Sequence, residues 1–296
     1  RTLKFLRALT RNNNREWFKA HKDEYETHVR GPMLTIIERL AVDFPRVAPD
    51  LVASPRSMYR VYRDTRFSPN KTPYKTHVAA LFSHQVLPKH ESAGLYFHLA
   101  SDQLWIGGGV YAPQTPQLHR IREHIVANLR SFRSLVESPA FRRIGGVTGT
   151  RLQRVPRGFP QDHEAAEYLK LKQYLAGEEV DPQLATSPRF YGALLRRFTA
   201  LAPFIQFLNT PLVAAAYPVS YNPISGAAPA AEPEATGPWN IDPTRPSVAA
   251  GLRRANAQAR QDASREDAAC REANRHARVR DAAARPGGRS PQLVAP

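Results

Sequence analysis

Everything with which this chain could build a core lies before residue 211. Residues 214–296 hold 22 alanines and ten prolines, but no phenylalanine, no methionine and two leucines. Such a segment has little apolar surface to offset the entropy of ordering it. From 249 to 285, alanine, arginine, aspartate and asparagine alternate without an apolar stripe. The expectation is a folded domain over residues 1–210 and a low-complexity tail over 211–296 that is disordered, a lone exposed helix, or a basic interaction segment.

Within the first 210 residues the period of the apolar positions changes along the chain. Leu3, Phe5, Leu6 and Leu9 form a short apolar turn or helix. Asn13 followed by Glu16 has the spacing of a capping box, which predicts a helix carrying Phe18, Tyr25 and Val29. Gly31-Pro32 should break it. Met33, Ile36, Ile37, Leu40 and Phe44 then fall at helical spacing, and Pro45, Pro49 and Pro55 mark a connection.

From Met58 the pattern alternates, as on a strand. Tyr59, Val61 and Arg63 point one way, and Met58, Arg60, Tyr62 and Asp64 the other. Further strands are expected at Val78–Phe82, at Leu95–Leu99 with Tyr96 and His98 on its opposite side, and at Gln103–Ile106. The last two should be joined as a hairpin through Ser101-Asp102. Gly107-Gly108-Gly109 should end that hairpin. It lacks the spacing and the following helix of a phosphate loop, so positive φ or close backbone approach is the better account.

Helices are expected after Pro116 (Leu118, Ile121, Ile125, Leu129) and from His163 to Leu175. A last one, capped by Ser187 with Pro188 in its first turn, should run through Leu194, Leu195, Phe198 and Leu201 and be interrupted near Pro203. Taken together, the fold class is α+β: a single domain with an antiparallel sheet of four or more strands flanked by helices.

The formal net charge is +16, and its distribution says more than its sum. Between Arg56 and Lys75 stand six cations against one acid, Asp64, among three tyrosines and two prolines. Guanidinium groups pair with phosphate or carboxylate oxygens in a planar, two-pronged way, and lysine adds a mobile point charge. Two accounts of the cluster stay open. Either Arg60, Arg63, Arg66, Lys71 and Lys75, with Asp64 and Tyr74, take an anionic ligand, or Arg60 or Arg63 pairs with Asp64 in a network that holds the fold.

Other chemistry finds few residues. The ten histidines are not paired at metal-ligand spacing, and no Gly-x-Ser-x-Gly elbow occurs. Cys270 is the one cysteine and lies in the tail, which excludes an internal disulfide. No metal or cofactor is expected. No signal-peptide pattern and no run of about 18 apolar residues is apparent, so a cytoplasmic protein without a membrane partner is expected.

The blocks Phe5-Leu6, Asn13-Asn14-Arg15-Glu16-Trp17-Phe18, Arg60-Val-Tyr-Arg-Asp64-Thr-Arg-Phe-Ser68, Lys71-Thr-Pro-Tyr-Lys75, Gly94-Leu-Tyr96 and Gly107-Gly-Gly-Val-Tyr-Ala-Pro113 resemble the bacterial domain of unknown function 2461 family over about residues 1–210. That resemblance implies no activity, cofactor or catalytic residue. Asn70 stands where the family usually has an acid before the lysine, which leaves this loop more positive, and Arg56 falls outside the block. The expected partner is a phosphorylated small molecule or other anion. The alternative is a non-enzymatic module binding nucleic acid or protein through the same surface. Were the chain an enzyme, Asp64 would be the acid or base of the cluster.

Overall fold

The structure is a computed structural model that describes residues 1–216 apart from 67 and 90. The expectations for the tail, and Cys270 with them, lie outside the described residues. What is described is α+β: a four-stranded antiparallel sheet in the order β1-β2-β3-β4, with helices around it. The strands are β1 (Val78–Phe82), β2 (Gly94–Leu99), β3 (Leu104–Val110) and β4 (Tyr174–Val180). Among the described residues, those up to Arg63 and from Thr72 to Ala216 belong to one compact unit, and the Asp64–Lys71 loop groups apart from it.

The N-terminal helices are α1 (Thr2–Arg11), α2 (Arg15–Ala20), α3 (Lys22–Tyr25) and α4 (Gly31–Val47), with a π-helical turn at Glu26–Arg30 between the last two. Asn14, not Asn13, caps α2, its side chain accepting from the Trp17 amide at 2.9 Å. Asn13 instead clamps the backbone of Tyr74, donating to its carbonyl at 2.9 Å and accepting from its amide at 3.0 Å. Gly31-Pro32 does not break the helix as expected. Pro32 has no N–H to give the His28 carbonyl, and Thr2 Oγ1 donates to that carbonyl instead at 2.6 Å. The helix widens there: the Gly31 amide reaches back to Glu26, and a side chain at Gly31 would sit 3.0 Å from the Glu26 carbonyl. The helix also runs past Pro45 to Val47.

One face of the sheet packs on α9 (Phe190–Ala216). Phe82 and Phe97 meet Phe198 at 5.7 and 6.4 Å between ring centroids, and Phe44 of α4 meets Phe82 at 5.2 Å. Buried Asn209 ties α9 to β2, accepting from the Ala93 amide at 2.8 Å and donating to its carbonyl at 3.0 Å. α9 begins at Phe190 rather than Ser187 and continues through Pro203 and Pro211. From Phe198 to Ala216 it carries no charged residue, so by length and composition it could cross a membrane, contrary to the expectation that no such run exists. Ten of its side chains are buried within the fold, which accounts for its apolarity.

The remaining helices, α5 (Thr115–Ala127), α6 (Leu129–Val136), α7 (Pro139–Arg142) and α8 (Ala166–Leu169), surround α9 and the outer strand. The expected helix over 163–175 is corrected here: only α8 forms, and Tyr174–Val180 is the fourth strand. Tyr174 and Ala176 alternate inward and pair with Val110 and Gly108. The three glycines fall inside β3 rather than after it. A side chain at Gly107 would lie 2.3 Å from the Trp105 ring and 2.4 Å from the Ala176 carbonyl, so close approach is what requires glycine there. Gly109, at φ +137°, adds positive φ.

The expected strand at 58–64 is an extended ribbon held by isolated bridges. Met58 pairs with Ala80 on the edge of β1, and Tyr62 pairs with Tyr74. The register shifts by two residues between these bridges, a bulge around Thr76 and His77 that frees them from pairing.

Candidate functional site

The ribbon sorts the predicted cations. Alternation places Arg63 with Tyr59, and Arg60 with Tyr62 on the other side. Tyr74 joins the core: 5% exposed, its ring stacks on Phe18 at 4.1 Å, and burial raises its pKa. Lys75 lies over the Tyr59 ring at 4.9 Å, and Lys89, from the β1–β2 connection, lies over the same ring at 4.7 Å. Cation–π attraction holds both ammonium groups at this one ring. Arg63 donates through Nη1 to Thr72, to its carbonyl at 3.3 Å and to its hydroxyl.

The Asp64–Lys71 loop is tied within itself. Arg66 grips Asp64 with two prongs, Nε to Oδ1 at 2.9 Å and Nη2 to Oδ2 at 2.5 Å. Lys71 Nζ donates to the Thr65 carbonyl at 2.9 Å. Asp64 thus serves an arginine of its own loop.

On the face of the sheet away from α9, β2 and β3 present Tyr96, His98 and Trp105. The Tyr96 ring lies 5.8 Å from Trp105 and 6.4 Å from Tyr59. The Trp105 indole lies across the backbone of Gly107 and Gly177. His77, carried on the bulge, sits 5.5 Å from His98. Burial, His98, Lys75 and Arg63 all disfavour a charged His77, pushing its pKa down to about 3. The field at that point is positive.

His98 is 8% exposed, and burial keeps its pKa below the usual value. Its Nε2 meets Gln103 Oε1 at 3.0 Å, and Gln103 Nε2 donates to Glu179 Oε2 at 3.0 Å. Glu179 can only accept, so the Gln103 oxygen accepts from His98 Nε2–H. The neutral ring therefore carries its lone pair on Nδ1, which has no hydrogen-bond partner among the described residues and is buried.

Of the residues gathered here the sequence named Arg63 and Lys75 as ligand candidates and placed Tyr59 only on the strand; Lys89, His77, His98, Gln103 and Trp105 carried no such expectation. The placing of Tyr96 and His98 on one side of their strand was the available signal for part of this group. Two concave regions lie elsewhere. One, of about 460 Å³, is lined by Arg46, Asp50, Leu195 and Gln206, and the other, of about 680 Å³, by Arg130, Ser134 and Pro203. Neither includes a predicted residue. Among the described residues no group of three or more His, Cys, Asp or Glu could hold a metal ion.

An antiparallel sheet with one face on helices and the other bearing aromatic rings defines an α+β protein with an aromatic sheet face. The chain belongs to the family described as conserved hypothetical protein (DUF2461), whose model matches residues 1–207. No curated protein and no solved structure matches the chain.

Proposed function

We propose that this protein binds a phosphorylated or otherwise anionic ligand at Arg63, Lys75 and Lys89, beside the aromatic face of the sheet. The observation that supports the reading most is the pair of ammonium groups at the Tyr59 ring, each less than 5 Å from its centroid. Two like charges so placed lie within about one Debye length, ~10 Å at 0.1 M salt, and repel. A phosphate bound beside the ring would offset that repulsion and accept charged hydrogen bonds from the ammonium groups it reaches. Arg60, on the other side of the ribbon, adds long-range attraction. Arg66, Asp64 and Lys71 shape their own loop. A cytoplasmic setting, where phosphorylated metabolites are found, suits this reading.

A second reading, single-stranded nucleic acid along the same face, draws on the Tyr59, Tyr96 and Trp105 rings. Thermal melts separate the two. Pyrophosphate or ribose 5-phosphate at a hundred times its Kd should add about 2.7 kcal/mol, raising Tm by roughly 5–10 °C in a chain of this size. The gain should change modestly with salt. If only an RNA oligonucleotide raises Tm, with a steep salt dependence, the small-anion reading fails. A Tm unmoved by any of these ligands removes both readings.

A further inference from the structure

We infer that the ligand of this face carries, beside its phosphate, a flat ring with an N–H donor, the chemistry of a nucleotide, and that His98 Nδ1 is the acceptor that reads the ring. The inference rests on the anion-binding reading above, and it names the rest of the ligand.

Three observations lead to it. The Glu179–Gln103–His98 chain fixes the tautomer that leaves a lone pair on Nδ1, at 3.0 Å per link. A buried acceptor without a partner is costly, and a ligand donor is the kind of group that would relieve it. Rings surround it: His77 at 5.5 Å, Tyr96 at 5.6 Å, and Trp105 at 6.4 Å and nearly parallel to His98. Tyr96 and Trp105 are both half-buried and stand on the two central strands, tilted 52° to each other, so a flat base would stack on one of them with the other at its side and its edge toward His98. Lys75 and Lys89 mark the anionic end, on the Tyr59 ring 6.4 Å from Tyr96.

His77 sits on the unpaired bulge. Access to Nδ1 requires that a neighbour move aside for an incoming donor, such as the exocyclic amine of adenine, and His77, 5.5 Å from His98 on that bulge, is the neighbour outside the sheet ladder.

The test compares AMP with ribose 5-phosphate on the whole chain, by calorimetry and by quenching of Trp105 emission, with Trp105→Phe identifying that signal. Wild type should bind AMP about tenfold or more tightly than ribose 5-phosphate, the ratio expected from one hydrogen bond with base stacking. His98→Phe keeps a ring and removes the acceptor. It should bring AMP to within about threefold of ribose 5-phosphate and leave ribose 5-phosphate unchanged. Should that variant not fold, the ¹⁵N resonance of His98 Nδ1 in wild type reads the same contact. It moves on saturation with AMP and not with ribose 5-phosphate.

Equal affinity for the two ligands in wild type, or a stationary Nδ1 resonance in the AMP complex, overturns this inference and leaves anion binding standing. If neither AMP nor ribose 5-phosphate nor pyrophosphate binds, both readings fall together.

Discussion

His77 combines a titratable ring with a position where burial and positive charge act in the same direction. Its folded-state pKa of about 3 lies below the unbound value of 6.5, so the unfolded chain takes up a proton first as pH falls. The stability tied to neutral His77 is fully present above about pH 6.5 and is lost as pH falls toward 3, at most about 1.4 kcal/mol per pH unit. Urea melts at pH 7 and pH 4.5 should show a smaller acid loss in His77→Gln than in wild type. Burial of His84, His98 and His124 shifts each in the same direction and leaves a residual slope. Parallel losses in the two proteins would contradict the assignment.

At this scale the sequence was partly legible. Arg63, Lys75 and Tyr59 stand close in a proline-punctuated stretch, so their convergence shows as local density. Lys89, His98 and Trp105 come from other strands and connections; the sheet register sets His98 opposite Trp105, and the β1–β2 connection brings Lys89 to the Tyr59 ring.

Among the elements, two asparagines act as clamps. Asn13 holds Tyr74 across 61 residues, and Asn209 holds Ala93 across 116. Replacing Asn209 by Ala leaves a buried amide and a buried carbonyl unmatched, at about 1–3 kcal/mol for each. The denaturation midpoint should fall accordingly. Asn209→Asp should also destabilise, because the carboxylate cannot donate to the Ala93 carbonyl and carries a buried charge.

Gly107→Ala should cost at least about 1–3 kcal/mol, since its methyl group would meet both the Trp105 ring and the Ala176 backbone. Wild-type stability in that variant would show that close approach is not what fixes glycine here. These glycines were legible as a backbone requirement, but their place inside a strand was not, because the requirement comes from Trp105 and β4. Strand β4 itself escaped notice: Ala176, Gly177, Glu178 and Glu179 lack the branched and aromatic residues that usually mark a strand. The 58–63 stretch has strand-like alternation, yet the bulge at Thr76 and His77 reduces its pairing to single bridges.

For the molecule as a whole, the break in composition near residue 211 is the feature that sequence made plainest. The family match ends at 207 and α9 ends at Ala216, so chain ending at 216 should retain the full cooperative transition, with Tm within about 2 °C of the 296-residue protein. A broad or much lower transition would assign part of the core to the remaining residues. The α+β class was legible because alternation and helical spacing are each local. The proposed binding face was not, since it is assembled from a ribbon, a bulge and two strands.

The central claim is that Lys75 and Lys89 together hold an anion at the Tyr59 ring, and calorimetric titration of pyrophosphate tests it directly. Wild type should bind, and Lys75→Gln/Lys89→Gln should bind at least about a hundredfold more weakly, tenfold for each charged hydrogen bond removed. Equal affinity in the two proteins would contradict the account.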